Sequence, residues 1–171
     1  MAARPRRVVA APMDREAFAP FGELLTAPAA FARRVNLGTA GRADRLATLE
    51  NTRESARPNV ALFRCDAQTL PRRITLLERH PHSTQLFAAL RGGEWLLVVA
   101  PNRADGGPDE GALRAFRCPP GSGVNLRRGV WHHPVLAIGQ DAELLMLAWE
   151  DGGAGDCEER PLGEPVEVSA G

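Results

Sequence analysis

Apolar and polar positions exchange over short distances along this chain. From Val60 onward, brief runs rich in Val, Leu, Ile, Phe and Trp alternate with turns that carry Gly, Pro and Asn. That is the texture of strands, because helices need longer runs on a 3.6-residue period. The predicted strands are Val60–Arg64, Ile74–Glu78, Gln85–Leu90, Trp95–Ala100, Leu113–Arg117, Gly123–Leu126 and Glu143–Trp149, with an edge strand at Pro165–Val168. Arg91-Gly92-Gly93 separates two of these runs and predicts a hairpin between Gln85–Leu90 and Trp95–Ala100. Pro101–Gly111 reads as a surface loop, and residues 38–58, punctuated by Gly38, Gly41 and Pro58, as a loop with a small edge strand. One short helix is expected at Asp14-Arg15-Glu16-Ala17-Phe18, with Asp14 as its cap and Pro20-Phe21-Gly22 as its stop. Roughly eight short strands at this turn spacing predict an all-β fold, an antiparallel barrel or sandwich with a short N-terminal helix.

Composition narrows the partners. The chain has 171 residues, enough for one domain with a real core, with 44% hydrophobic and 25% charged residues. Formal net charge is zero, so no long-range field favours nucleic acid or an anionic membrane. All 21 basic residues are arginine and there is no tyrosine, which excludes Schiff-base lysines and tyrosine acids. Arginine remains as the natural grip for a carboxylate. The three cysteines, Cys65, Cys118 and Cys157, have no C-x-x-C spacing and read as reduced thiols with packing roles. After Arg4, Arg6 and Arg7, the run Val8–Ala11 is too short for a signal segment, and no stretch is long enough to span a membrane. A cytoplasmic protein is expected.

Only four histidines occur, and they fall in two short segments: His80 and His82 in one, His132 and His133 in the other. Brought together, the segments would make a single site. In an extended segment His80 and His82 would face the same side, and Gln85 lies three positions further on. His-x-His with a nearby oxygen donor, followed later by Gly129-Val130-Trp131-His132, resembles the two halves of the cupin signature. That set predicts a divalent metal held by His80, His82, Gln85 and His132. Gln85 stands where the signature usually has glutamate, which lowers the charge of the site. Glu78 shares a face with His80 by alternation and is a further acid or base, or else the partner of an arginine.

Several longer segments carry a closer resemblance. They are Ala11-Pro12-Met13-Asp14 through Phe21-Gly22, Gly38-Thr39-Ala40-Gly41-Arg42, Leu77-Glu78-Arg79-His80-Pro81, Ser83-Thr84-Gln85 with Phe87, and Arg128-Gly129-Val130-Trp131-His132-His133-Pro134. In order and spacing the chain resembles the ureidoglycolate lyase family. The resemblance implies a cupin-like β-barrel, a homodimer, and a C–N lyase that splits (S)-ureidoglycolate into glyoxylate and urea in allantoin catabolism. It also implies nickel as the metal, with no organic cofactor.

The reaction needs a base for the hydroxyl proton, an acid for the departing nitrogen and a holder for the carboxylate. His80, His132 and Glu78 are the candidates for proton transfer. Arg79, Arg128, Gln85, Asn125, Trp131 and His133 are the candidates for contacting substrate. Neighbours in an extended segment face opposite ways, so Arg79 and His80 are not both expected to point inward. Two other classes fit the residues: a metal-dependent cupin oxygenase or isomerase, and a non-catalytic module that binds a small acid.

Overall fold

The computed structural model describes residues 6–171, so Arg4 of the basic N-terminal cluster lies outside the described residues. In chain order the elements are β1 (Arg6–Pro12), α1 (Arg15–Phe18), β2 (Gly22–Leu25), β3 (Arg33–Val35), β4 (Ala40–Arg42), β5 (Arg57–Cys65), β6 (Ala67–Gln68) and β7 (Arg72–Arg79). They continue with β8 (Gln85–Ala100), β9 (Arg114–Cys118), β10 (Gly123–Leu126), β11 (Trp131–His132), β12 (Leu136–Glu150) and β13 (Glu158–Ala170). The fold is all-β and cupin-like, with α1 as a single turn. Asp14 caps that turn as expected: its backbone is extended and its Oδ1 accepts the Ala17 amide at 2.8 Å.

The predicted hairpin is wrong. Gln85 to Ala100 is one continuous strand, β8, which bends at Gly92-Gly93 instead of reversing. Gly92 has φ +108°, and a Cβ there would lie 2.2 Å from the Asp141 carbonyl oxygen. The neighbouring β12 bends with it, its register slipping between Ile138 and Ala142. A Gly-Gly pair signals backbone freedom, and both a reversal and a bulge use that freedom.

The bend lets β8 serve two walls. Its first half pairs with β10, its second half with β9 and β11, and β12 runs beside both. The path β8–β9–β1–β13–β7–β11 returns to β8 and closes a barrel. The expected purely antiparallel pairing is corrected to a mixed one, since β1 is parallel to both β13 and β9, and β6 to β12. The run Val8–Ala11 is thus an internal barrel strand. Pro165–Val168 is also no edge: β13 pairs with β7 on one side and β1 on the other.

Two cores result. Trp95, Leu97 and Val99 face the first, with Phe18, Phe116, Val124 and Leu144; Leu96, Val98 and Ala100 face the second, with Ile74, Leu77, Trp131 and Val168. A strand dry on both faces shows a continuous apolar run, which is why Trp95–Ala100 has no polar alternation.

Gly92→Ala should lower stability by about 1–3 kcal/mol from backbone strain alone, and further through the close approach to Asp141. Gly121→Ala is the control, because its φ is +72° but its added Cβ meets nothing within 4 Å. Urea unfolding of both variants should show the larger loss at Gly92. Equal losses would remove the bend from its structural role.

Candidate active site

Strand β7 ends at Arg79, and residues 80–84 turn before β8 begins. The turn is held by the Thr52 amide on the His82 carbonyl at 3.0 Å and the Thr84 amide on the Glu50 carbonyl at 3.1 Å. The expectation that His80 and His82 project together fails here, because period-2 alternation stops where the strand stops. His80 is buried, and its Nδ1 meets the Asp156 carbonyl at 2.8 Å. His82 turns away, with its Nδ1 3.0 Å from the Thr52 hydroxyl. It is not in the cluster.

The two histidine segments do converge. Across the barrel seam, His132 on β11 stands opposite Glu78 on β7 and opposite Val99 on β8. The His80 and His132 rings stack with centroids 5.6 Å apart and planes inclined at 29°. His132 Nε2 lies 3.4 Å from Glu78 Oε1. One donor atom from each of Glu78, His80 and His132 can be chosen so that all lie within 4.8 Å of one another.

Proton positions follow from the outer contacts. His80 Nδ1 faces the Asp156 carbonyl, and His132 Nδ1 faces the Val130 carbonyl at 3.0 Å. A carbonyl oxygen only accepts, so each neutral ring is assigned its proton on Nδ1 and keeps a lone pair on Nε2. Both Nε2 atoms are buried and have no hydrogen-bond partner. Burial, then the nearby His132, lower the pKa of His80, which favours its neutral form. Burial alone would raise the Glu78 carboxyl, but His132, His80 and His133 outweigh it and hold it below its ordinary value. Two inward-facing imidazole nitrogens beside a carboxylate are a donor set that fits a divalent metal.

The other candidates are dispersed. Gln85 is buried at the start of β8, on the same face as Phe87 of the first core, and its Oε1 has no partner. Arg128 is exposed beside the histidine turn, its Nη1 donating to the Pro81 carbonyl at 3.2 Å. Arg79 faces away from His80, as expected, stacking 4.6 Å over Trp131 and pairing with Glu158 at 2.7 Å. Trp131 belongs to the second core, opposite in facing to His132, and its Nε1 donates to the Gly106 carbonyl at 3.0 Å. Asn125 alternates with Val124 and Leu126 of the first core, and its Nδ2 donates to Glu23 and to the Thr48 carbonyl. Arg79, Trp131 and Asn125 therefore face away from the cluster of Glu78, His80 and His132. His133 is tied to its own corner, with Nδ1 2.7 Å from the Pro134 carbonyl.

Two neighbours escaped sequence reasoning. Asp156 acts through its main-chain oxygen, which no side-chain pattern announces. Cys157 Sγ lies 3.9 Å from Glu78 Oε2, and burial with the adjacent Glu78 pushes its thiol up to about 11.

A family model described as ureidoglycolate lyase matches residues 5–169. The ureidoglycolate lyases of Pseudomonas putida (strain W619) and Pseudomonas entomophila (strain L48) are each 38% identical over 154 residues, covering 90% of this chain and 90% of their own. That of Burkholderia mallei (strain NCTC 10229) is 40% identical over 136 residues, 80% of this chain and 78% of its own.

The shifts predict acid sensitivity. Glu78, lowered in the fold, contributes stability above its unfolded pKa that is lost as pH falls through its folded one. His80 and His133, also lowered, stay neutral while the unfolded chain already binds protons, so their stability is lost as pH falls from about 6.5. Chelator-treated protein should lose urea stability below that pH, and His80→Gln should flatten the upper part of the loss. An identical profile in the variant would contradict the assignment.

Proposed function

The chain belongs to the ureidoglycolate lyase family, and we propose that it cleaves (S)-ureidoglycolate to glyoxylate and urea at the cluster of Glu78, His80 and His132. The observation that carries this reading is the pair of buried Nε2 atoms without a hydrogen-bond partner in one cluster with the Glu78 carboxylate, 3.4 Å from His132. The substrate bears hydroxyl, carboxylate and ureido groups on one carbon. Cleavage removes the hydroxyl proton, forms the aldehyde C=O, breaks the C–N bond and returns a proton to the departing urea nitrogen.

His132 is the base in this scheme. Its Nε2 takes the hydroxyl proton, and Glu78, 3.4 Å away, stabilises the imidazolium that forms. The same Nε2–H then delivers the proton to the leaving nitrogen. His80 stays neutral, and its Nε2 lone pair accepts a hydrogen bond from the ureido group. Gln85 Oε1 is a second buried acceptor on the face of the first core. Arg128, at the turn that carries Pro81, holds the carboxylate at the mouth. A divalent metal, nickel in this reading, would occupy these same Nε2 lone pairs together with Glu78, and would then supply, by Lewis-acid polarisation of the hydroxyl and carboxylate, the activation that His132 gives in the metal-free site.

The reading extends to a cytoplasmic homodimer in purine catabolism. Among the described residues no helix is long and apolar enough to cross a membrane. Family membership does not favour the oxygenase, isomerase or acid-binding alternatives.

Pure protein incubated with (S)-ureidoglycolate should release glyoxylate, read by a coupled dehydrogenase, together with urea. His132→Ala should lower kcat/KM by about 10²–10⁴-fold. No glyoxylate above the spontaneous rate, with and without nickel, would sink the proposal. Ammonia and carbon dioxide in place of urea would make the activity an amidohydrolase.

A further inference from the structure

We propose that Cys157 supplies its sulfur as a fourth donor to the divalent-metal site formed by Glu78, His80 and His132. The inference rests on the reading of that cluster as a metal site. Glu78 joins the thiol to the cluster: one carboxylate oxygen faces His132 Nε2 at 3.4 Å, and the other lies 3.9 Å from Cys157 Sγ. The Nε2 atoms of His80 and His132, both buried without a hydrogen-bond partner, belong to residues of the same cluster.

The backbone ties the thiol to a ligand as well. The carbonyl of Asp156 receives the Nδ1–H of His80, and Cys157 is the next residue, so one peptide group orients an imidazole and carries the sulfur. That peptide is itself held. The Asp156 carboxylate pairs with Arg53 and accepts the amides of Asp151 at 3.1 Å and Gly152 at 2.7 Å. Arg53 also bonds Asp151 at 3.0 Å, which Ser55 bonds in turn at 2.8 Å. A loop braced this way sets the Cα of Cys157; its sulfur touches Glu78 but stands outside the 4.8 Å group of Glu78, His80 and His132, so ligation requires the side chain to rotate toward the histidines when the metal binds.

The charges balance. On binding, the S–H bond breaks, the sulfur pair forms the bond to the metal, and the proton passes to buffer. One thiolate and one carboxylate then neutralise a divalent ion, with two neutral imidazoles completing four donors. Such an S, O, N, N set suits zinc, cobalt and nickel and disfavours magnesium and manganese, which prefer oxygen. In the absence of metal the thiol remains a weak donor to Glu78.

Cobalt(II) reads out the sulfur directly. Full-length protein, stripped with a chelator and titrated with Co(II) without added thiols, should develop a near-ultraviolet sulfur-to-cobalt charge-transfer band. Cys157→Ser should still bind Co(II) and show its visible bands, lose the charge-transfer band, and bind about 10–100-fold more weakly. Cys65 and Cys118 remain in the variant, so loss of the band assigns it to Cys157. Identical spectra in both proteins would overturn the proposal. A second measurement avoids mutation: bound metal should slow alkylation of Cys157 in the wild-type protein by at least about tenfold, relative to Cys65, when sites are mapped by mass spectrometry. Unchanged alkylation would also overturn it. Failure of wild-type protein to bind Co(II) removes the metal reading with it, whereas glyoxylate release by the stripped protein shows that the lyase reading survives on its own.

Discussion

Six consecutive residues, Trp95 to Ala100, are essentially dry on both faces, and this burial constrains the rest of the molecule. Odd-numbered side chains need one core and even-numbered ones need another, so the chain must build apolar surface on both sides of a single strand. The bend at Gly92-Gly93 meets that need by carrying β8 and β12 together from one wall to the next. Barrel closure then falls on β11, a two-residue strand paired with the end of β8 and the end of β7. Val99, His132 and Glu78 stand in one cross-strand row. A slip of one residue in β11 would send His132 into the second core and swing Trp131 toward the first. The register that closes the barrel is the register that sets the imidazole beside the carboxylate.

Burial also shapes the chemistry of that row. Charged imidazoles are costly in a dry pocket, which keeps His80 neutral and its lone pair available. Glu78 behaves differently: burial alone would raise it, but the hydrogen bond and the positive charge that the neighbouring imidazoles bring when protonated outweigh that cost. One group that resists protonation beside another that stays ionised is the asymmetry that proton transfer requires. The carbonyls of Asp156 and Val130 maintain it by fixing which nitrogen of each ring faces inward.

Much of this was legible in the residues. Strand texture, the cap at Asp14 and the sharing of a face by Glu78 and His80 all follow from local rules. The opposite facing of Arg79 does too. Those rules hold inside elements and fail at their ends. His82 lies in a turn, where alternation has no meaning, and Gly92-Gly93 bends a strand that local sequence would reverse. The facing of Asn125 and Trp131 is illegible for a different reason: period 2 separates two faces without saying which face meets the histidines. Asp156 contributes a carbonyl and Cys157 an isolated thiol, and neither leaves a pattern. Their positions depend on Arg53, roughly a hundred residues away in sequence, closing the loop through an ion pair.

Gln85 follows from the same electrostatics. A cupin-like first element usually carries glutamate there, and its replacement by an amide suggests a weakened metal site. The structure shows the negative charge displaced, not lost, because Glu78 brings it from β7 into register with His132. A carboxylate at position 85, buried on the face of the first core, would bring a second negative charge and a desolvation cost of several kcal/mol per ion. An amide adds neither. With its Oε1 buried and unpaired, Gln85 is free to accept a hydrogen bond from the N–H groups of a ureido substrate. The carboxylate on β7 thus supplies the charge of the cluster, and the amide on β8 leaves a buried neutral acceptor on the first-core face.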